Sequence, residues 1–171
     1  GGGGRGGGCV RDGIGDFRET RAWPGADILT PHQFERDDRS GRGSTALDEA
    51  RAAVDAVHEL GPRVILVTSL HTTETPENSI DMLASNAQGC FRLRTPKLAI
   101  SVNGAGDAIA ALFFAHYLRT CHADQALANA GSSLCGRLAR TAEAGPREIP
   151  VVDAQEECGN PSQRFEPARP W

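Results

Sequence analysis

Residues 98–118 read LAISVNGAGDAIAALFFAHYL, and this stretch decides the fold. An extended approach, residues 98–102, runs into Asn103-Gly104-Ala105-Gly106-Asp107 and then into the apolar run Ala108 to Ala115. Strand, glycine turn and helix in that order leave several backbone N–H groups without partners at a helix N-terminus. Such a terminus binds anions, because the amides point outward and the helix dipole favours negative charge. Glycines at 104 and 106 supply the backbone freedom that the turn needs. Asp107 sets a carboxylate at the mouth of the anion site, where a hydroxyl attacking phosphorus would lose its proton. The bland reading of Asp107 is an ordinary acid in a first helical turn.

Outward from this motif the chain reads as α/β. VILVTS, residues 64–69, is β-branched and continuous rather than alternating, which predicts a strand buried on both faces. Before it, Leu47, Ala50, Val54 and Val57 recur at helical spacing and Gly61-Pro62 ends the helix, with Thr45 and Asp48 as a capping box. Helix, tight turn and buried strand point to a parallel sheet. Ala26 to Thr30 is a further short strand stopped by Pro31, and residues 12–22 a short helix around Phe17. Residues 36–43 and 71–79 read as polar loops. Residues 80–84 and 90–93 form a hairpin about the turn Asn86 to Gly89. After the glycine motif come two helices, 105–119 and 123–142. The first is apolar nearly all round and therefore predicted to be buried, with Phe113 and Phe114 in the core. The second carries the stripe Ala126, Leu127, Ala130, Leu134, Leu138. Cys121 and Cys135 read as packing residues. From Asp153 onward the polar chain is expected to wrap the surface or fray.

The 171 residues suffice for one medium domain. The expected division is a glycine-rich disordered segment, 1–9, and one domain, 10–171. A net charge of -4 argues against nucleic acid or an anionic membrane as partner, and no apolar run is long enough for a membrane span. Residues 1–8, glycine with one arginine, lack the apolar core of a signal peptide. Five scattered cysteines without a Cys-x-x-Cys pair fit a reducing cytoplasm, and the five histidines lack metal-ligand spacing.

Residues 103–118 resemble the C-terminal signature of the ribokinase-like small-molecule kinases, and more narrowly that of pyridoxal kinases. ADILTPHQFE, residues 26–35, is similar to the family's Thr-Pro-Asn-Gln-Phe-Glu motif. RVILVTSL, 63–70, resembles its strand ending in Thr-Ser, and 151–165 resembles its tail. The resemblance implies a three-layer α/β/α sandwich that is incomplete, with the N-terminal half missing. Residues 1–8 stand where the family's Asp-Pro-Val-hydrophobic-Gly-Asp stretch is expected. A sheet cut in this way would expose an unpaired edge and an apolar face.

The implied activity is ATP-dependent phosphorylation of the 5′-hydroxyl of pyridoxal or a related vitamer, in vitamin B6 salvage. The amides of Gly104, Ala105, Gly106 and Asp107 would hold charge on the γ-phosphoryl group, and Asp107 would act as base. Thr68, Ser69 and Asn103 would contact the nucleotide, and Glu35 would organise Mg²⁺ through water. His32 stands where the family has Asn, so that role does not carry over. Lys97 and Arg94 are cations near the motif, although basic residues beside loops are usually only solvated. Family members are commonly homodimers. Two other functions stay open: a non-catalytic nucleotide-binding module, and a sugar or nucleoside kinase of the same superfamily.

Overall fold

The computed structural model describes residues 27–30, 46–97, 104–144 and 156–171, with side chains in the second segment's long C-terminal neighbour described to residue 141. The expected helix at 12–22, the loop at 36–43, Thr45, His32, Glu35 and Asn103 lie outside these residues.

Four strands form one sheet in the order β1-β2-β3-β4: β1 Ile28–Leu29, β2 Val64–Leu70, β3 Ser79–Asn86 and β4 Gly89–Pro96. β1 is parallel to β2, with Ile28 opposite Val64. β2 and β4 both run antiparallel to β3. The β3–β4 hairpin turns at Ala87-Gln88, where Asn86 faces Gly89, as the sequence suggested. Gly89 adopts φ 134°, a value that side-chain-bearing residues rarely reach.

Helices cover both faces. α1, Leu47–Glu59, packs Ala50, Val54 and Val57 against Ile65, Val67 and Leu83. α2, Ala105–Thr120, and α3, Ala123–Ala144, pack on the opposite face, where Ile109, Phe113, Leu127 and Ala130 meet Val64, Leu66, Met82 and Leu93. Alternate residues of β2 thus serve opposite layers, and all four of Val64 to Val67 are buried. The three-layer α/β/α arrangement follows directly. Each fully buried Leu, Ile or Phe contributes about 1.5–3 kcal/mol of transfer free energy.

Three expectations need correction. α1 is capped at Ala46, whose N–H donates to the Glu49 carboxylate at 3.3 Å, so Asp48 is not the reciprocal acid. Ala46 holds the extended N-cap conformation, so the box runs from Ala46 to Glu49. α2 is not buried all round: Ile109 and Phe113 face the core, but Phe114 is 49% and Leu118 64% exposed. Its hydrophobic residues encircle the helix, whereas the sheet and α3 meet only one side. Cys121 is not a packing residue. It is exposed, sits in the left-handed region at φ 55°, and ends α2 by donating its N–H to Tyr117 O at 2.8 Å.

The described part of the tail packs closely. Its short helix α4, Glu156–Gly159, buries Glu157 completely against α3. Arg140 Nε donates to Glu157 Oε1 at 2.9 Å and the Ser162 N–H to Oε2 at 2.8 Å. Burial alone would raise this carboxyl, but the Ser162 and Arg140 donors outweigh it and hold its pKa below the usual value. Farther on, Ala168 exchanges two backbone hydrogen bonds with Arg92 (2.7 and 2.8 Å), so the tail covers the outer edge of β4.

Candidate phosphoryl-transfer site

β1, β2 and β4 run in one direction, so Thr68-Ser69 and Thr95-Pro96-Lys97 emerge at the same carboxyl edge of the sheet. In open α/β sheets that edge is where ligands bind. α2 begins there too. Gly104 forms its N-cap at φ 84° and ψ 5°, the left-handed region, and its carbonyl accepts the Ala108 N–H at 2.8 Å. Among the described residues, no side-chain hydrogen bond caps this terminus. The amides of Ala105, Gly106 and Asp107 are first-turn donors, which α-helical geometry leaves without an intrahelical acceptor. Among the described residues, nothing beyond its chain neighbours and the backbone of its own helix lies within 4 Å of where a Cβ on Gly106 would stand, so the backbone is open to close approach.

β2 carries an irregularity at the critical point. Val67 pairs with Leu83 and Leu70 with Asp81, so three steps along β2 oppose two along β3. In a regular strand Thr68 and Ser69 would point to opposite faces. The bulge breaks that alternation, and both half-buried residues line one cavity. This cavity, of about 310 Å³, also takes in Thr95, Lys97, Ala105 and Gly106 at its polar end. Ile80, Met82, Ile109, Leu134 and Leu138 form its apolar wall. Gly131 contributes as well: a Cβ there would collide with Leu93, so glycine lets α3 settle closely on the sheet.

Four of the expected site residues therefore line one cavity, Thr68, Ser69, Ala105 and Gly106, and Gly104 is the N-cap residue just before them. Asp107 occupies the next position of the same first turn, exposed, and is not itself part of the cavity wall. Asn103 and Glu35 lie outside the described residues. Arg94 is committed elsewhere, holding buried Asp81 through two bonds of 2.7 and 2.8 Å. Cys135 lines the cavity, but burial, with Glu157 adding to it, pushes its thiol up and keeps it protonated. Sequence reasoning missed Thr95 and the apolar wall. Ile80 and Met82 share a strand face and Leu134 and Leu138 a helix face, which reads equally well as plain core.

Among the described residues, no group of three or more His, Cys, Asp or Glu could hold a metal ion. Mg²⁺ asks for less, since it keeps several waters and takes one or two carboxylates plus phosphate oxygens. The described donors fit a nucleotide's phosphates: neutral amides and hydroxyls facing one cation.

Comparison with known proteins agrees with this geometry. The family described as phosphomethylpyrimidine kinase matches residues 7–152. Relatives named pyridoxal kinase include one from Granulibacter bethesdensis, 51% identical over 91% of this chain and 56% of the relative. Another, from Leifsonia xyli, is 41% identical over 95% of this chain and 58% of the relative. The chain thus spans little more than half the length of the curated relatives it matches. Among solved structures, pyridoxal kinase from Trypanosoma brucei superposes with a TM-score of 0.68 at 25% identity, over 85% of this chain and 53% of that one. Pyridoxal kinase from Leishmania donovani in complex with ADP and pyridoxine gives 0.71 at 24%, over 91% and 54%, a likeness of fold. The layered sheet, the open helix terminus beside Thr68-Ser69 and these matches agree, and the chain belongs to the phosphomethylpyrimidine kinase family, with pyridoxal kinases among its relatives.

Proposed function

We propose that this chain carries the nucleotide side of a pyridoxal kinase site, for ATP-dependent phosphorylation of the 5′-hydroxyl of pyridoxal or a related vitamer. One observation carries the reading: the bulged Thr68-Ser69 pair and the first turn of α2 line the same cavity. The triphosphate lies along this polar end and the base against the apolar wall. Amides of Ala105, Gly106 and Asp107 accept the charge that grows on the γ-phosphoryl oxygens. Preorganised donors of this kind contribute roughly 3–4 kcal/mol each to transition-state stabilisation. Asp107 takes the hydroxyl proton as the oxygen bonds to phosphorus and the bond to the β-phosphate oxygen breaks, releasing ADP. Magnesium, when bound, offsets phosphate charge, and Glu35 is the residue assigned to it from the sequence. A reducing cytoplasm is the setting that the scattered cysteines fit, and a homodimer is the assembly that the resemblance implies.

The test is pyridoxal-dependent ADP release by the chain with saturating Mg-ATP. Asp107→Asn lowers the rate by at least about a hundredfold, the lower range for general-base catalysis, while nucleotide affinity changes little. An unchanged rate removes Asp107 from the base role. ATP binding without any turnover in the unmodified chain leaves a nucleotide-binding module instead. Turnover of a sugar or nucleoside in place of pyridoxal reassigns the acceptor.

A further inference from the structure

A second cavity, of about 550 Å³, lies toward the other end of α2 from the candidate phosphoryl-transfer site. By helix rise, Arg119 stands about 20 Å along α2 from Gly106. His116 and Arg119 of α2, Asn129, Ser132 and Ser133 of α3, and Arg164 of the tail line it. None of them lines the cavity that holds Thr68 and Ser69. The tail is pinned beside it, since the Phe165 N–H donates to Ser132 Oγ at 3.0 Å.

Two features mark a binding site rather than a gap in packing. The first is a buried hydroxyl. Ser133 is 0% exposed, and among the described residues its Oγ has no hydrogen-bond partner. Leaving a buried hydroxyl unpaired costs about 1–3 kcal/mol, and such groups are nearly always satisfied. The second is uncompensated positive charge. Among the described residues neither Arg119 nor Arg164 enters an ion pair, unlike Arg51, Arg92, Arg94 and Arg140. Glu166 is the one acid in the described wall, and it pairs with neither guanidinium. Burial and the nearby Arg119 hold His116 below its ordinary pKa, so at neutral pH the two guanidiniums carry the charge. Guanidinium forks match phosphate oxygens. The volume is that of a small-molecule site, far beyond a bare phosphate, and Pro161 and Phe165 add apolar wall.

We propose that this cavity binds a phosphate monoester. Arg119 and Arg164 take the phosphate oxygens, the Ser133 hydroxyl gains its missing partner, and the organic group lies against Phe165. The proposal goes beyond the nucleotide reading and does not depend on it, because the two cavities share no residue.

Amide resonances of the full chain, followed during titration with phenyl phosphate, inorganic phosphate and phenol, test it. Saturable shifts are expected at Asn129, Ser132, Ser133 and Phe165, at lower concentration for phenyl phosphate than for inorganic phosphate, and none for phenol. Arg119→Gln and Arg164→Gln each weaken the ester about tenfold, as loss of one hydrogen bond to a charged group implies. Ser133→Ala weakens it as well. All three variants keep the melting temperature, since these side chains hold no described partner in the free chain. Inorganic phosphate that binds as tightly as the ester shows an adventitious ion only and overturns the proposal. Shifts confined to Ala105 to Asp107, unchanged ester affinity in both arginine variants, or no saturable shift with the ester overturn it too. Lost binding that comes with a lowered melting temperature in every variant does the same, by showing a merely structural role.

Discussion

Gly136→Ala tests how the tail is held to the body of the fold. Position 136 lies inside α3, where alanine exceeds glycine in helix propensity by about 1 kcal/mol. On propensity alone the substitution should stabilise. The structure reverses the sign. A Cβ at 136 would collide with the Glu157 carboxylate and come within 3.2 Å of Ser162 Oγ. Glu157 is fully buried and fixed by Arg140 and Ser162, so it has no free direction in which to move. Overpacking costs about 1–3 kcal/mol and losing one hydrogen bond to a charged group about 1.5–3. Less the propensity gain, the net loss is about 3 kcal/mol, or roughly 6–12 °C in melting temperature for a domain of this size. Urea and thermal unfolding followed by circular dichroism measure it. Repeating Gly136→Ala in a Glu157→Ala background should remove most of the penalty, because the obstructing carboxylate is gone. Gly136→Ala as stable as the unmodified chain, with Glu157 present, refutes this packing.

Stability should also fall in two stages on acidification. Burial, assisted by Arg119, lowers the His116 pKa from 6.5, so the unfolded chain protonates first and stability drops as pH falls below about that value. The Glu157 carboxyl is likewise lowered from 4.5, so its contribution is present above that pH and disappears as pH falls through its folded value. Urea midpoints against pH should lose the upper stage in His116→Gln and the lower in Glu157→Gln; a profile unaltered by either substitution contradicts the assignments. Asp81→Ala should cost about 3 kcal/mol, since it strands the Arg94 guanidinium and removes the acceptor of Thr75 Oγ1. A loss below about 1 kcal/mol in urea unfolding would mean that Arg94 is satisfied by water instead.

Periodicity and residue type made most of the framework legible. The unbroken apolar run at 64–67 announced a strand buried on both faces, and Asn86 to Gly89 announced the hairpin turn. Gly104 announced the left-handed N-cap of α2. Other features depend on what stands opposite in space. The bulge at Thr68-Ser69 is a mismatch of count between β2 and β3, so neither strand carries it alone. Phe114 and Leu118 look like core until the structure shows that α2 meets neighbours on one side only. Glu157 looks like a tail residue in solvent, because Arg140 and Gly136 make its burial tolerable from seventeen and more positions away. Of the candidate cavity, the lining by the glycine turn and the two hydroxyls followed from residues singled out in the sequence. The apolar wall was not, since a residue that packs and one that lines a cavity have the same sequence pattern.

The central claim is that phosphate seats on the open amides of α2 beside the bulged hydroxyls. Amide resonances of the chain, followed while Mg-ADP is added, test this most directly. The account predicts large, saturable shifts at Thr68, Ser69, Ala105, Gly106 and Asp107, with the hairpin turn at Ala87-Gln88 unmoved. Saturating nucleotide that shifts other residues and leaves Ala105 to Asp107 in place would contradict it.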